Sequence, residues 1–130
     1  MKQISLTDIR QMSMTESPTP VIKEPKDVLL RIDVVGVCGS DIHYYTTGRI
    51  GSQVVEFPFP VGHECSATVQ EVGEAVTKFK PGDRVAVDPA ICCFTCDQCR
   101  AGRHHTCRNL VFMGCPGQID GCLGEYYVMP

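Results

Sequence analysis

Apolar and polar residues alternate with a period of two in several stretches of this chain, the pattern of half-buried strands. It is clearest from Asp27 to Val37, where Leu30, Ile32 and Val34 fall on one face and Arg31 and Asp33 on the other. A second strand is expected over Val61–Gly73 and a third over Arg84–Val87, separated by the turn Lys80-Pro81-Gly82-Asp83. A closing strand is expected over Leu123–Val128. Before Asp27 the alternation is weak and breaks at Ser17-Pro18-Thr19-Pro20, which predicts short strands or extended edges. Ser40 is placed to cap a short helix, and Gly48–Pro60 reads as loop. Strands separated by Gly/Pro turns predict a mainly β fold, a small barrel or sandwich, with only short helices.

The stretch from Asp88 to Gly121 has neither period. Structureless segments of that length are uncommon in a compact domain unless they are functional or stapled. Composition supplies the staple. The 130 residues include nine cysteines, five of them between Cys92 and Cys107. An odd count argues against a closed disulfide framework, and Met1-Lys2 opens onto mixed polar residues rather than a secretory signal. A reducing, cytoplasmic setting is therefore expected, where clustered thiols serve metals. The net charge of −3 argues against a nucleic-acid surface, and no apolar run is long enough for a membrane helix. No G-x-G occurs, so a dinucleotide site of the Rossmann type is not expected in these residues.

Cys93, Cys96, Cys99 and Cys107 follow C-x2-C-x2-C-x7-C. Two intervening residues let neighbouring sulfurs reach one ion, and four thiolates close a tetrahedral shell, the form of structural zinc. Such a site leaves no open position for chemistry; it holds the 88–121 lobe in shape. The first three cysteines also fit the ferredoxin spacing C-x2-C-x2-C-x3-C-P, but Cys107 comes too late and is followed by Arg108. Cys92 could replace Cys93, although Cys93 keeps the even spacing.

Cys38, His63 and Glu64 form a second candidate set. Cys38 ends one expected strand and His63-Glu64 begins the next. A thiolate, an imidazole and a carboxylate would hold zinc with one position open, the arrangement of catalytic zinc. Spacing alone is a weak signal for this set: a lone Cys at a strand end is usually a small buried side chain, and a lone His-Glu usually a hydrogen-bonded surface pair.

Four motifs in order, G36-V-C-G-S-D-I-H-Y-Y-T-T-G-R-I-G51, P60-V-G-H-E-C65, K80-P-G-D-R-V85 and the Cys93–Cys107 cluster, resemble the zinc-dependent medium-chain dehydrogenases. The H-Y-Y-x-x-G-R-I-G stretch is most similar to the sorbitol (L-iditol) and xylitol branch. The resemblance implies a GroES-like β-barrel over residues 1–130, with a zinc-stapled lobe and two zinc ions. One ion is catalytic, on Cys38, His63 and Glu64; the other is structural, on the four clustered cysteines. It implies oxidation of a secondary alcohol of a polyol to a ketone, with hydride passing to NAD or NADP. In that family Ser40 and His43 match the proton-relay positions, and Tyr44 and Phe112 match positions lining the polyol pocket.

Asp41 reads as a structural carboxylate at the helix turn. His104 and His105 read as solvent-facing, and Cys65, Cys115 and Cys122 as small buried side chains. The resemblance further implies a nicotinamide-binding domain outside these residues and a homo-oligomeric full-length form. The chain is accordingly expected to be an incomplete catalytic domain, inactive alone. Threonine or general alcohol dehydrogenases share Gly-His-Glu and the four cysteines. An iron–sulfur carrier and a non-catalytic metal-stapled module are the alternatives from other classes.

Overall fold

The computed structural model describes residues 1–130. Ten strands, most of them short, carry the architecture, with a helix of nine residues and one of four, in agreement with the mainly β expectation. The N-terminal stretch is an antiparallel hairpin of β1 (Lys2–Asp8) and β2 (Gln11–Glu16). Leu6 of β1 is fully buried, whereas every residue of β2 is exposed.

The spine is the antiparallel pair β3 (Val28–Gly36) and β6 (Glu64–Val72). With β7 (Arg84–Ala86) and β10 (Tyr126–Met129) they form a four-stranded sheet in the order β10-β3-β6-β7. Val28, Leu30, Ala67 and Val69 bury one face of it, with Ile32, Val72, Val85 and Met129 packed around them. Val34 does not join them. A bulge between Ile32 and Val34 breaks the two-residue period, and Val34 is left exposed. Asp33, at the bulge, accepts a 2.6 Å hydrogen bond from Thr68 Oγ1 and pairs with Arg31 at 3.0 Å.

Helix α1 (Gly39–Thr47) follows β3, but Cys38, not Ser40, is its N-cap residue. Cys38 has extended backbone and its N–H donates to Asp41 Oδ2 at 3.0 Å, the return half of a capping box. Ser40 therefore sits inside the first turn. The helix ends at Gly48, whose φ of 69° gives the left-handed stop. The expected loop from Gly48 to Pro60 contains the small hairpin β4 (Arg49–Ile50) and β5 (Gln53–Val54). Val55 and Phe59 from the same stretch join Leu6, Tyr44 and Val61 in a second core.

The 88–121 segment holds one two-residue strand pair, β8 (Ala90–Ile91) with β9 (Val111–Phe112), the four-residue helix α2 (Asp97–Arg100) and a 3-10 turn at His104–Thr106. None of its residues belongs to either apolar core. No helix of the chain is long and apolar enough to cross a membrane.

Candidate metal centres

The lobe brings Cys93, Cys96, Cys99 and Cys107 together, with their sulfurs within 4.8 Å of one another. Short-range backbone geometry does this: α2 begins directly after Cys96 and carries Cys99 inward, while Cys107 follows the 3-10 turn. Donors point at the sulfurs. Cys93 N–H lies 3.4 Å from Cys107 Sγ, Cys96 N–H lies 3.4 Å from Cys93 Sγ, and the Asn109 amide lies 3.6 Å from Cys93 Sγ. Cys92 stays outside the set, its thiol donating to the His104 carbonyl at 3.3 Å. Four thiols with N–H groups aimed at them are the donor chemistry of a zinc–thiolate site, and the residues fit that ion.

Their protonation is split. Hydrogen bonds from Thr95, then from Asn109 and Cys96, pull Cys93 down to about 5. Burial pushes Cys99 up to about 12. Cys93 is thus already a thiolate at neutral pH, and Cys99 must give up a proton to become a ligand. Zinc uptake by the lobe is expected to release protons, and its affinity to rise about tenfold per pH unit for each proton released. Calorimetric zinc titrations in buffers of different ionisation enthalpy would measure that number; a value of zero would refute the split. Outside the thiols, Arg108 clasps Asp97 at 2.6 and 2.8 Å, tying the start of α2 to the residue after Cys107 and holding the Asp97 carboxyl well below the usual range.

The second set also meets. One donor atom each from Cys38, His63 and Glu64 lies within 4.8 Å of the others. Cys38 is half-buried at the junction of β3 and α1, His63 is buried just before β6, and Glu64 is the exposed first residue of β6. Thiolate and carboxylate together balance a doubly charged ion, so this set also fits zinc. Asp41 organises it. One carboxylate oxygen accepts the Cys38 N–H; the other accepts the Gly62 N–H at 3.3 Å and faces His63 Nδ1 at 3.6 Å. Facing Nδ1 with a carboxylate leaves Nε2 for the metal and orients the ring. The sequence suggested the helix-turn role of Asp41 but not its hold on His63.

Gly36 is the other residue the sequence did not single out. It pairs across the sheet with Glu64, and a Cβ there would stand 3.1 Å from Glu64 Oε2 and 3.3 Å from Glu64 Cβ. Gly36→Ala is expected to push the carboxylate aside and lower zinc occupancy at this site while leaving the four-cysteine site full. Gly39→Ala meets nothing within 4 Å and serves as control. Elemental analysis after dialysis against a weak chelator would read both; equal occupancy in the two variants would refute the crowding argument.

Ser40 is half-buried in the first turn of α1, and His43 is exposed three residues on, so both lie on one side of the helix. His43 Nδ1 sits 3.3 Å from the Gly39 carbonyl, which suits donation from Nδ1 and leaves Nε2 to take a proton. Phe112 leans on the His63 ring, centroids 5.5 Å apart and tilted by 58°, which places it beside the metal ligands. Tyr44 is different. It is 4% exposed within the apolar core, and its hydroxyl donates to Gln53 Oε1 at 2.9 Å. The structure thus places Tyr44 in the packing under the site, with its polar end committed. His104 and His105 are exposed, as expected.

Residues 24–130 match the alcohol dehydrogenase GroES-like domain. The chain is 43% identical over 125 residues to a probable D-xylulose reductase A of Arthroderma otae, covering 96% of this chain and 35% of that protein. It is 43% identical over 129 residues to a sorbitol dehydrogenase of Bacillus subtilis, covering 99% and 36%. Among solved structures, galactitol-1-phosphate dehydrogenase from Escherichia coli superposes with a TM-score of 0.88 at 32% identity, over 99% of this chain and 36% of that one. The chain spans about a third of the length of these relatives. A mainly β chain with four cysteines gathered in one lobe, matched over four-fifths of its length by one domain family, belongs to the alcohol dehydrogenase GroES-like domain family.

Proposed function

We propose that this chain is the zinc-bearing portion of a polyol dehydrogenase that oxidises a secondary alcohol to a ketone and passes the hydride to NAD or NADP. The observation that carries the reading is the meeting of Cys38, His63 and Glu64, with the carboxylate ligand directly after the histidine. The similarity to proteins named sorbitol dehydrogenase and probable D-xylulose reductase supports the polyol class. The nicotinamide is assigned to the two-thirds of such relatives that this chain does not span.

Cys38, His63 and Glu64 would hold the zinc, which when bound acts as a Lewis acid toward a substrate oxygen. Asp41 holds the His63 ring and the Cys38 backbone, so the ligands are set before substrate arrives. Ser40 takes the substrate hydroxyl proton and hands it to His43, which exchanges it with solvent from its exposed position. Phe112 gives one wall against which a polyol carbon chain can lie. Tyr44 packs in the apolar core beside Val61, with its hydroxyl held by Gln53.

The test is substrate profiling of the full-length zinc-loaded protein, following reduction of NAD and of NADP by absorbance. Sorbitol and xylitol are expected to be oxidised in preference to ethanol and threonine. Preference for ethanol or threonine would overturn the polyol reading. No dehydrogenation of any alcohol, with both metals in place, would overturn the enzyme reading.

A further inference from the structure

Phe112 leans on the His63 ring, and what holds Phe112 in place lies outside both metal sets. Ala90 stands opposite Phe112, and the Met113 N–H donates to the Pro89 carbonyl at 3.0 Å, so Ala90 and Phe112 are a pair that exchanges no hydrogen bonds between β8 and β9. The Phe112 N–H therefore points away from β8 and needs a partner elsewhere. Gln118 supplies it: Oε1 accepts the Phe112 N–H at 2.6 Å. The same amide directs Nε2 at Cys115 Sγ, 3.2 Å away, and the Gln118 backbone N–H donates to the Cys115 carbonyl at 3.1 Å. Within this turn the Cys115 N–H reaches the Phe112 carbonyl at 3.3 Å and the Gly114 N–H reaches the Ile119 carbonyl at 3.1 Å. The inner side of the turn meets the histidine segment. Gly114 has a φ of 69°, and a Cβ there would stand 2.7 Å from the oxygen of Gly62, the residue before His63. The far end of the turn is tied to the same segment, by Gly121 N–H on Pro60 O at 2.8 Å and Cys122 N–H on Gly62 O at 2.9 Å. Backbone contact thus sets how near the turn lies to His63, and the Gln118 side chain holds the strand end that carries the Phe112 ring.

We propose that Gln118 is a positioning residue for substrate specificity: by clasping the Phe112 backbone it sets the Phe112 ring beside His63, and with it the wall along which a polyol carbon chain lies. The proposal rests on the polyol reading above, in which Phe112 is that wall. Gln118 is exposed and its polar contacts go to Phe112 and Cys115, not to either ligand set, so it acts through Phe112 and not on the reacting oxygen. The clasp asks one side chain for an acceptor toward an N–H and a donor toward a sulfur, and a primary amide offers both. Glutamate keeps the acceptor alone; methionine keeps the length without a strong acceptor or a donor. A loosened wall weakens the hold on a long substrate equally before and during the bond-breaking step. Its mark is therefore a raised KM with kcat held.

The test compares the full-length zinc-loaded wild type, Gln118→Met and Gln118→Glu on xylitol and on 2-propanol, a secondary alcohol too short to lie along the wall. Gln118→Met is expected to raise the KM for xylitol about fivefold, the size of one lost hydrogen bond, with kcat held. Its KM for 2-propanol should not move, and Gln118→Glu should bring the xylitol KM back to within about twofold of the wild type. Amide exchange at Phe112, read in the same proteins, should quicken in Gln118→Met and not in Gln118→Glu. An unchanged xylitol KM in Gln118→Met, equal losses on xylitol and 2-propanol, or no rescue by Gln118→Glu would overturn the proposal. A wild type that oxidises neither xylitol nor sorbitol would overturn the polyol reading, and the wall with it. The exchange measurement keeps the two failures apart: unchanged Phe112 exchange in Gln118→Met refutes the clasp whatever the substrate.

Discussion

Cys99→Ser is expected to unfold the lobe between Cys92 and Asn109 while leaving the four-stranded sheet intact. The lobe has almost no apolar interior. Within Cys92–Asn109 the buried residues are Cys99 and Cys107, themselves two of the four thiols, and neither apolar core reaches into it. What remains without an ion is a four-residue helix, a 3-10 turn and one exposed Arg108–Asp97 pair. A solvent-exposed pair of this kind contributes little to stability. Zinc at a four-thiolate site supplies roughly 10–16 kcal/mol of apparent binding energy, all of which acts as folding energy where no site exists in the unfolded segment. A serine hydroxyl does not replace the missing thiolate. Hydrogen exchange should show the amides of 92–109 losing protection, with those of β3 and β6 keeping theirs, and elemental analysis should show one zinc fewer. Retained protection in the lobe would mean that packing, not the ion, holds it.

The strands of the spine were legible because their alternation is strong and their ends carry Gly or Pro. The bulge at Asp33 was not. A polar residue in an alternating run looks like any outward-facing position until its partner strand is known, and Thr68 is the partner that fixes it. The helix cap went to Cys38 instead of Ser40 because Asp41, three residues on, can reach back to the Cys38 N–H. Serine is the better intrinsic cap, so the reach of the Asp41 carboxylate back to the Cys38 N–H outweighed local preference. In the lobe, β8 and β9 are too short to leave a period, and only the cysteine spacing was readable there.

Metal-ligand spacing is local and therefore visible for the four cysteines. The second set depends on a cross-strand register that the residues themselves do not announce, and the motif resemblance supplied it. The same register hides Gly36, whose need is set by Glu64 opposite, and the grip of Asp41 on His63. Tyr44 marks the limit of transfer by motif. Its position in the sequence matches a pocket residue, yet here Gln53 takes its hydroxyl and the core takes its ring.

Cys38→Ser separates folding from chemistry, because serine is a stronger N-cap than cysteine and α1 should keep or gain stability. The Cys38 N–H bond to Asp41 uses the backbone and survives the change. Only the thiolate is lost. His63 and Glu64 alone offer an imidazole and one exposed carboxylate, too few donors to hold zinc against dialysis. Metal content is expected to fall from two zinc ions to one per chain, with the thermal midpoint held or raised. On the proposed dehydrogenase reading, alcohol oxidation by the full-length protein should drop on the order of a thousandfold, since Lewis-acid assistance amounts to several kcal/mol and each 1.36 kcal/mol is tenfold in rate. Asp41→Asn should lie between the variant and the wild type. It keeps an acceptor for one backbone N–H but removes the charge facing His63 Nδ1, and a change at a ligand's own partner costs about 10–100-fold in metal affinity. The ordering wild type, Asp41→Asn, Cys38→Ser, read by zinc competition with a chromophoric chelator, is the result that the geometry requires. If Cys38→Ser kept two zinc ions, the open site would have to be sought elsewhere in the chain.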